Sequence, residues 1–167
     1  MCIRDSLWIT CKKTPCAEMN AELLQRLPGD LLAELKAIHH HPTSKSYKPS
    51  IDKNDGTVAQ TGFANIIPIK KGAKLMIISN LDTPDGLVNG TLCTLVDVVR
   101  TKKGEVDKLV VKSKDSFVGQ RNQAKFPQLA QRYPDCFFLE RITHTYSIGK
   151  RSGDIGSTAS LFQFPVR

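Results

Sequence analysis

The sequence lacks several features that would point directly to a function. No apolar run approaches the roughly 20 residues that a membrane-spanning helix needs, so no membrane partner is expected. The G-x-x-x-x-G-K-[ST] loop that cradles nucleotide phosphates is missing, as are the G-x-S-x-G elbow and the H-E-x-x-H motif. We therefore do not expect this chain alone to hydrolyse ATP, or to act as a hydrolase of those two kinds.

Cysteine is present, but not in the spacing of a metal or redox site. The five cysteines are Cys2, Cys11, Cys16, Cys93 and Cys136. None forms a C-x-x-C pair, so we interpret them as reduced thiols of a nuclear or cytoplasmic protein, with Cys93 and Cys136 buried as small apolar residues. The run His39-His40-His41 has no second ligand pair, and no metal site is predicted.

The charge of the chain is unevenly placed. With 40% hydrophobic and 24% charged residues, 167 residues can bury a core. The net charge is +8, and residues 100–151 carry most of it, with 12 Lys/Arg against 5 Asp/Glu. Such a segment suits a phosphate backbone, because each contact releases condensed counterions. The alternative is a solvated face that only keeps the protein soluble.

The first part of the chain predicts a strand followed by a helix. Residues 7–10 are β-rich, Thr14-Pro15 favours a helix start with Thr14 as the N-cap, and Pro28-Gly29 ends the helix. Apolar residues recur four apart along it, at Met19, Leu23 and Leu27, with Asn20 and Leu24 on the adjoining row, so one face is apolar. Residues 31–38 are left open between a helix, which the spacing of Leu31, Leu32, Leu35 and Ile38 fits, and an extended segment. Residues 42–65 indicate a long loop or linker.

From Ile66 onward the pattern is that of a β protein. Short strands are predicted at 75–78, 91–99, 108–112, 137–142, 146–148 and 161–166. Lys102-Lys103-Gly104 indicates a hairpin tip, and 127–134 brackets a single helical turn. Asn89-Gly90 predicts a tight primed turn, because both residues tolerate positive φ. This spacing is typical of a barrel of about five strands, SH3-like or OB-like.

Nucleic-acid contact is the chemistry that these residues support best. Basic residues that are candidates for phosphate contacts are Lys70, Lys71, Lys74, Lys102, Lys103, Lys112, Lys114, Arg121 and Lys125. Aromatic residues that are candidates for base stacking are Phe63, Phe117, Phe126 and Tyr133. Phe137 and Phe138 are predicted to be core, and His144 is predicted to be a hydrogen-bonded structural histidine.

One ordered combination of residues is more specific than the strand pattern. It consists of Lys70-Lys71-Gly72-Ala73, Met76-Ile77-Ile78, Asn80-Leu81-Asp82 and Gly86-Leu87-Val88-Asn89-Gly90-Thr91. Together with Gln163-Phe164-Pro165, it resembles the signature of the PIF-type (petite integration frequency) superfamily 1 DNA helicases, relatives of the RecD and Helitron helicases. The resemblance is close over 66–99, brief over 160–167 and loose over 7–41, where Asn20 stands at an Asn of the family.

The resemblance implies an α/β fold with a small SH3-like β-barrel inserted in the second RecA-like domain. The chain then divides into the start of that domain (7–41), a linker (42–65), the barrel (66–159) and a truncated return strand (160–167). Residues 1–6 resemble a translated sequencing adapter and are interpreted as an artefact. The family residues set turns at Gly72, Asn80, Gly86, Asn89, Gly90 and Thr91, and the return strand at Gln163, Phe164 and Pro165.

For the whole enzyme, the resemblance implies ATP-dependent 5′-to-3′ unwinding of DNA, with ATP and Mg²⁺ as cofactors, in DNA repair, recombination and telomere maintenance. This chain would be an internal fragment that contributes single-stranded DNA contacts and no catalytic residue, metal or cofactor site. Its partners would be single-stranded DNA and the remainder of the helicase chain. The alternative is a free-standing, non-enzymatic nucleic-acid-binding β-barrel protein.

Overall fold

A computed structural model describes residues 13–40, 51, 53, 64–147 and 158–163, with side-chain surroundings given for those between 18 and 145. The helices are α1 (Lys13–Arg26), α2 (Gln120–Ala124) and α3 (Pro127–Arg132), and a 3-10 turn lies at Thr83–Asp85. The strands are β1 (Leu31–Lys36), β2 (Ile38–His40), β3 (Ile66–Lys70), β4 (Lys74–Met76), β5 (Leu92–Arg100), β6 (Val106–Ser113), β7 (Phe137–Leu139), β8 (Ile142–Ser147) and β9 (Thr158–Gln163). In this part of the chain, no helix is long and apolar enough to cross a membrane.

The chain is a mixed α/β structure with small antiparallel sheets. One sheet pairs β1 with β3, a second has the order β2-β9-β8, and the third has the order β4-β5-β6-β7. The predicted closed barrel is not formed by the described strands. Both edges of the four-stranded sheet are strands of three residues, and the chain continues from β7 into a different sheet instead of pairing back onto β4.

The main core lies on one side of the four-stranded sheet, which we call the inner face. Alternate residues of its strands are buried there: Leu75, Cys93, Leu95, Leu109, Val111, Phe137 and Leu139. The β1–β3 pair covers this face with Leu35, Ile67 and Ile69. Leu24 of α1 and Leu27, directly after it, pack at the edge of this core. Successive strand residues point to opposite sides, so the remaining residues of the same strands form an outer face.

The helix at the start of the chain is confirmed, and part of its predicted apolar face is buried. Leu24 and Leu27 pack against the core, whereas Leu23 is 44% exposed. Residues 31–38, which fit a helix by spacing, instead form β1 and the start of β2. The backbone of β1 finds its partners in β3, and Leu35 is buried between exposed neighbours, so strand pairing overrides the local preference.

The predicted strands between 75 and 112 and the hairpin tip at 102–104 are present. Gly104 has a φ of +84°, and the Thr101 N–H donates to the Glu105 carbonyl at 2.8 Å. The predicted strand 137–142 is divided between β7 and β8, which belong to different sheets. The short helix α2 was not predicted. The predicted strand 7–10, most of 42–65, Phe63, Phe164 and Pro165 lie outside the described residues.

The Asn89-Gly90 turn differs from the predicted primed hairpin. The Thr91 N–H donates to the Val88 carbonyl at 3.1 Å, which closes a turn around these two residues. Only Gly90 has a positive φ, of +94°, so the turn is not of the primed type. The turn lies inside the long connection 77–91 between β4 and β5. It does not join two paired strands directly, so its twist does not have to match theirs.

Candidate nucleic-acid interface

The signature residues build the connection 77–91. The Asn80 side-chain oxygen accepts the Asn89 N–H at 2.9 Å, and the Thr91 hydroxyl donates to the Gly86 carbonyl at 2.9 Å. Gly86 has a φ of +72° and ends the 3-10 turn. Gly72 makes a separate turn between β3 and β4, with a φ of +82°. The signature residues therefore stabilise the turns of this connection and of the β3–β4 link.

Asp85 joins this connection to the segment after β6. It is 3% exposed and is the buried charged residue of the described chain. Its two carboxylate oxygens accept the backbone N–H groups of Arg121 and Asn122, each at 2.8 Å, at the start of α2. Its carbonyl accepts the Gly119 N–H at 2.9 Å. A buried carboxylate with two such partners is compensated, because those N–H groups have no partner within the helix.

Two further contacts fasten α2 to the sheet. The Asn122 amide donates to the Phe138 carbonyl at 3.0 Å and accepts the Phe138 N–H at 2.8 Å, so it pairs with the outer edge of β7. Gly119 has a φ of +84° and lies against Phe137, where a Cβ atom would be 2.5 Å from the ring. Sequence analysis missed Asp85, Gly119 and Asn122, whose partners are distant in the chain.

α3 and its flanks cover one half of the outer face. Phe126, Leu129 and Tyr133 pack on a second small core of Val110, Cys136 and Phe138. Phe126 meets Phe138 edge to face at a ring separation of 5.5 Å. We call this the covered half.

The other half of the outer face is open. Lys74, Thr94 and Lys112 are directly opposite one another across β4, β5 and β6, so their side chains point to the same side. The next row of this face places Met76 opposite Leu92, and Leu92 is 59% exposed. We call these five residues the open half. It combines two exposed ammonium groups with apolar surface.

The nine basic candidates do not form one stripe. Lys74 and Lys112 lie on the open half, and Lys114 directly follows the end of β6. Lys112 makes a long, exposed ion pair with Asp135 at 3.5 Å. Lys71 directly follows β3, and its charge helps to lower the pKa of Asp97. The structure therefore brings Lys74 and Lys112 to one side of the sheet.

The other five candidates are placed elsewhere. The Lys70 ammonium donates to the Leu27 carbonyl at 3.2 Å and so closes the end of α1. Lys102 and Lys103 are exposed at the β5–β6 tip, at the opposite end of the strands. Arg121 and Lys125 face Asp82 at 3.5 and 3.7 Å.

At the border between the two halves, Tyr133 donates its hydroxyl to Asp97 at 2.7 Å. Burial alone would raise the pKa of Asp97. The hydrogen bonds from Tyr133 and from the Val98 N–H, with the charges of Lys71 and Arg132, lower that pKa on balance. The hydrogen bond to Asp97 in turn raises the pKa of Tyr133. The carboxylate is thus ionised and held in place at neutral pH.

The aromatic candidates have different surroundings. Phe117 is 78% exposed, whereas Phe126 and Tyr133 belong to the covered half. Phe63 lies outside the described residues. Phe137 and Phe138 are each 1% exposed, which confirms that they are core.

The remaining reactive groups do not form a catalytic constellation in the described part of the chain. Cys93 and Cys136 are buried free thiols, as predicted, and burial raises the pKa of Cys93 to about 12. Burial also lowers the pKa of His144 on β8. Among the residues that the structure describes, no group of three or more His, Cys, Asp and Glu residues is arranged to hold a metal ion.

The connection 77–91 and the strands around it carry the relationship to known proteins. The family model for the 2B domain of DNA helicase Pif1 matches residues 57–98, which include β3, β4 and most of β5. The recognition of a PIF-type helicase from the signature residues is confirmed by this match.

Comparison with solved structures finds an unliganded Pif1 from Bacteroides sp. The two chains are 15% identical, with a TM-score of 0.49, and the match covers 93% of this chain and 37% of that chain. The present chain therefore spans well under half the length of that protein. No curated protein matches the sequence.

Proposed function

We propose that the chain contributes single-stranded DNA contacts to an ATP-dependent 5′-to-3′ DNA helicase and does not itself catalyse ATP hydrolysis. The match of residues 57–98 to a Pif1 2B domain supports the helicase assignment. ATP and Mg²⁺ would be bound by residues of the helicase outside this chain, whose sequence lacks a phosphate-binding loop. Roles in DNA repair, recombination and telomere maintenance, in the nucleus or cytoplasm, would belong to that whole enzyme.

The proposal includes a division of the fold. The four-stranded sheet would be the SH3-like unit, inserted in a RecA-like domain to which α1, β2 and β9 belong. The pairing of β2 with β9 supports this, because it joins the segment before the four-stranded sheet to the segment after it. The proposed bounds, 7–41, 42–65, 66–159 and 160–167, would require the β1–β3 pair to bridge the first and third of these units.

The open half of the sheet is the observation that carries the DNA-binding proposal. Lys74 and Lys112 present two exposed ammonium groups on one side of adjacent strands, with Thr94 between them. Lysine contacts to phosphates release counterions and need no fixed geometry, so two of them on a firm sheet suit a flexible strand. The ion pair of Lys112 with Asp135 is exposed and long, so it costs little to replace it with a phosphate contact.

Fluorescence anisotropy with a labelled thymidine oligonucleotide tests this in the 167-residue chain. We expect a dissociation constant in the micromolar range or above that rises steeply with salt. The double variant Lys74→Glu/Lys112→Glu should weaken binding and reduce the slope of log K against log salt by about 2, since each phosphate contact contributes about 1.

The matched control is Lys102→Glu/Lys103→Glu, which makes the same charge change at the hairpin tip. It should lower the affinity far less, because the tip is at the other end of the strands. Equal losses in the two variants would mean that only net charge matters, and the open half would then be a solvated face. No binding by the unaltered chain at low ionic strength would contradict the proposed function itself.

A further inference from the structure

Phe117 is the most exposed of the large apolar side chains that the structure describes, at 78%. It lies in the segment between β6 and α2, directly after the strand that carries Lys112. The two other phenylalanines of this region, Phe126 and Phe138, pack against each other in the covered half. Phe117 stays exposed to solvent although neighbouring phenylalanines are buried. The packing of the fold therefore gives no reason for an aromatic residue at this position.

The backbone around Phe117 is held firmly. The Phe117 N–H donates to the Asp115 carboxylate at 2.9 Å, and the Asp115 N–H donates to the Ser113 hydroxyl at 3.1 Å. On the other side, Val118 packs against the main core, and Gly119 is fixed by Asp85 and Phe137. The ring therefore projects from an ordered segment, and little conformational entropy would be lost if it bound a partner.

The segment that carries the ring is basic in sequence. Residues 114–125 contain three cationic side chains, Lys114, Arg121 and Lys125, and a single acidic one, Asp115. The Asp115 carboxylate already accepts the N–H of Phe117. An exposed aromatic ring on a basic segment suits single-stranded nucleic acids, because the ring can stack on a base while nearby cations contact the backbone.

We propose that Phe117 is a stacking platform for an unpaired nucleobase of the strand whose phosphates contact the open half. This inference rests on the proposed function and adds to it the residue that distinguishes single strands from duplexes. A base pair within a duplex offers no free face to a side chain, whereas every unpaired base offers one. The platform would therefore be tolerant of sequence and selective for single strands.

Three variants of the 167-residue chain separate stacking from other roles: Phe117→Ala, Phe117→Leu and Phe117→Trp. With the thymidine oligonucleotide, the alanine and leucine variants should bind about fivefold or more weakly, and the tryptophan variant should bind as tightly as the unaltered chain. The salt slope should not change in any of them, because no phosphate contact is lost. With an abasic oligonucleotide of equal length, all four proteins should bind alike.

Leu31→Ala is the matched control, since it shortens an apolar side chain that is 51% exposed but lies on β1. It should leave binding unchanged, and all variants should keep the unfolding midpoint of the unaltered chain. If Phe117→Leu binds as well as the unaltered chain, the ring does not stack on bases. If Phe117→Ala binds normally, the side chain takes no part in binding the strand. Either result overturns the inference while the lysine contacts stand; failure of the unaltered chain to bind overturns both.

Discussion

The covered and open halves of the outer face belong to the same strands but differ in almost every other respect. Val110 and Lys112 are two residues apart on β6, yet Val110 is fully buried and Lys112 is exposed. The difference arises because α3 and its flanks, through Phe126, Leu129 and Tyr133, pack over one half only. A single sheet thereby offers a packed surface and a binding surface on the same side.

The position of α2 and α3 over the covered half depends on polar and steric contacts as much as on apolar residues. Asp85, Gly119 and Asn122 fix where α2 begins and how it meets β7. The apolar contacts of Phe126 and Leu129 then fill the space. Apolar burial is not directional, so we expect the polar and steric contacts to decide which half is covered.

The largest expected effect concerns Gly119. In Gly119→Ala, the new Cβ atom would meet the Phe137 ring at 2.5 Å, and alanine would have to adopt a φ of +84°. We expect a loss of about 3 kcal/mol in the free energy of unfolding from the clash and the backbone strain together. The matched control is Gly104→Ala, where φ is also +84° but nothing lies within 4 Å. Urea denaturation measures both, and equal losses would show that the Phe137 contact is unimportant.

The second prediction concerns the buried carboxylate. In Asp85→Asn, the amide can accept only one of the two N–H groups at the start of α2 and turns a donor towards the other. We expect the free energy of unfolding to fall by about 2–3 kcal/mol. Asp82→Asn is the control, because its ion pairs of 3.5 and 3.7 Å are with exposed cations and are worth at most about 1 kcal/mol. Similar losses of stability for the two variants would mean that the hydrogen bonds of Asp85 do not hold α2 in place.

The third prediction compares a valine-to-threonine substitution in the covered half with a threonine-to-valine substitution in the open half. Val110→Thr places a hydroxyl without a partner in the covered half and should cost about 1–2 kcal/mol. Thr94→Val in the open half should change the free energy of unfolding by less than about 0.5 kcal/mol. Chemical denaturation of both proteins checks this. If Val110→Thr proves neutral, the covered half is accessible to water and the comparison fails.

The smallest effect is expected at the border between the halves. Tyr133→Phe keeps the ring and removes the hydrogen bond to Asp97, at a cost of about 1 kcal/mol at neutral pH. The pKa of Asp97 is lowered in the folded protein, so its contribution is present above the ordinary value of 3.8 and is lost as the pH falls through the folded value. The difference in stability between the two proteins should therefore shrink below pH 3.8.

An Asp97→Asn background provides the control for that experiment. There, Tyr133→Phe should cost the same amount at every acidic pH, because no carboxylate remains to titrate. A pH dependence that survives in this background would have to come from another group.

Sequence reasoning succeeded where local chemistry decides the structure. The strands between 75 and 112 and the tip at Gly104 were predicted because alternation and turn residues act over a few neighbours. It left residues 31–38 ambiguous, and there the helical spacing yields to the pairing of β1 with β3. It also missed Asp85, since nothing near this residue shows that its N–H partners lie 36 and 37 residues away.

The grouping of the basic candidates on the surface could not be predicted, for a related reason. Nearness in sequence suggested that Lys102, Lys112 and Lys125 share a surface, but strand direction and the return of the chain over the sheet separate them. Lys74 and Lys112 are distant in sequence and come together only through the register of β4, β5 and β6. Of the aromatic candidates, only burial could distinguish Phe117 from Phe126.

The sequence by itself determined the charge of the chain, the apolar alternation that makes a sheet, and the residues that identify a PIF-type helicase. Tertiary structure alone decided which side chains share a surface. In β5, a bulge between Leu95 and Asp97 shifts the register, so that Asp97 lies opposite Val110 on the outer face, where it meets Tyr133. The identity of a residue fixes its charge and polarity, but its neighbours across a sheet depend on register, which is set by the pairing of segments far apart in the chain.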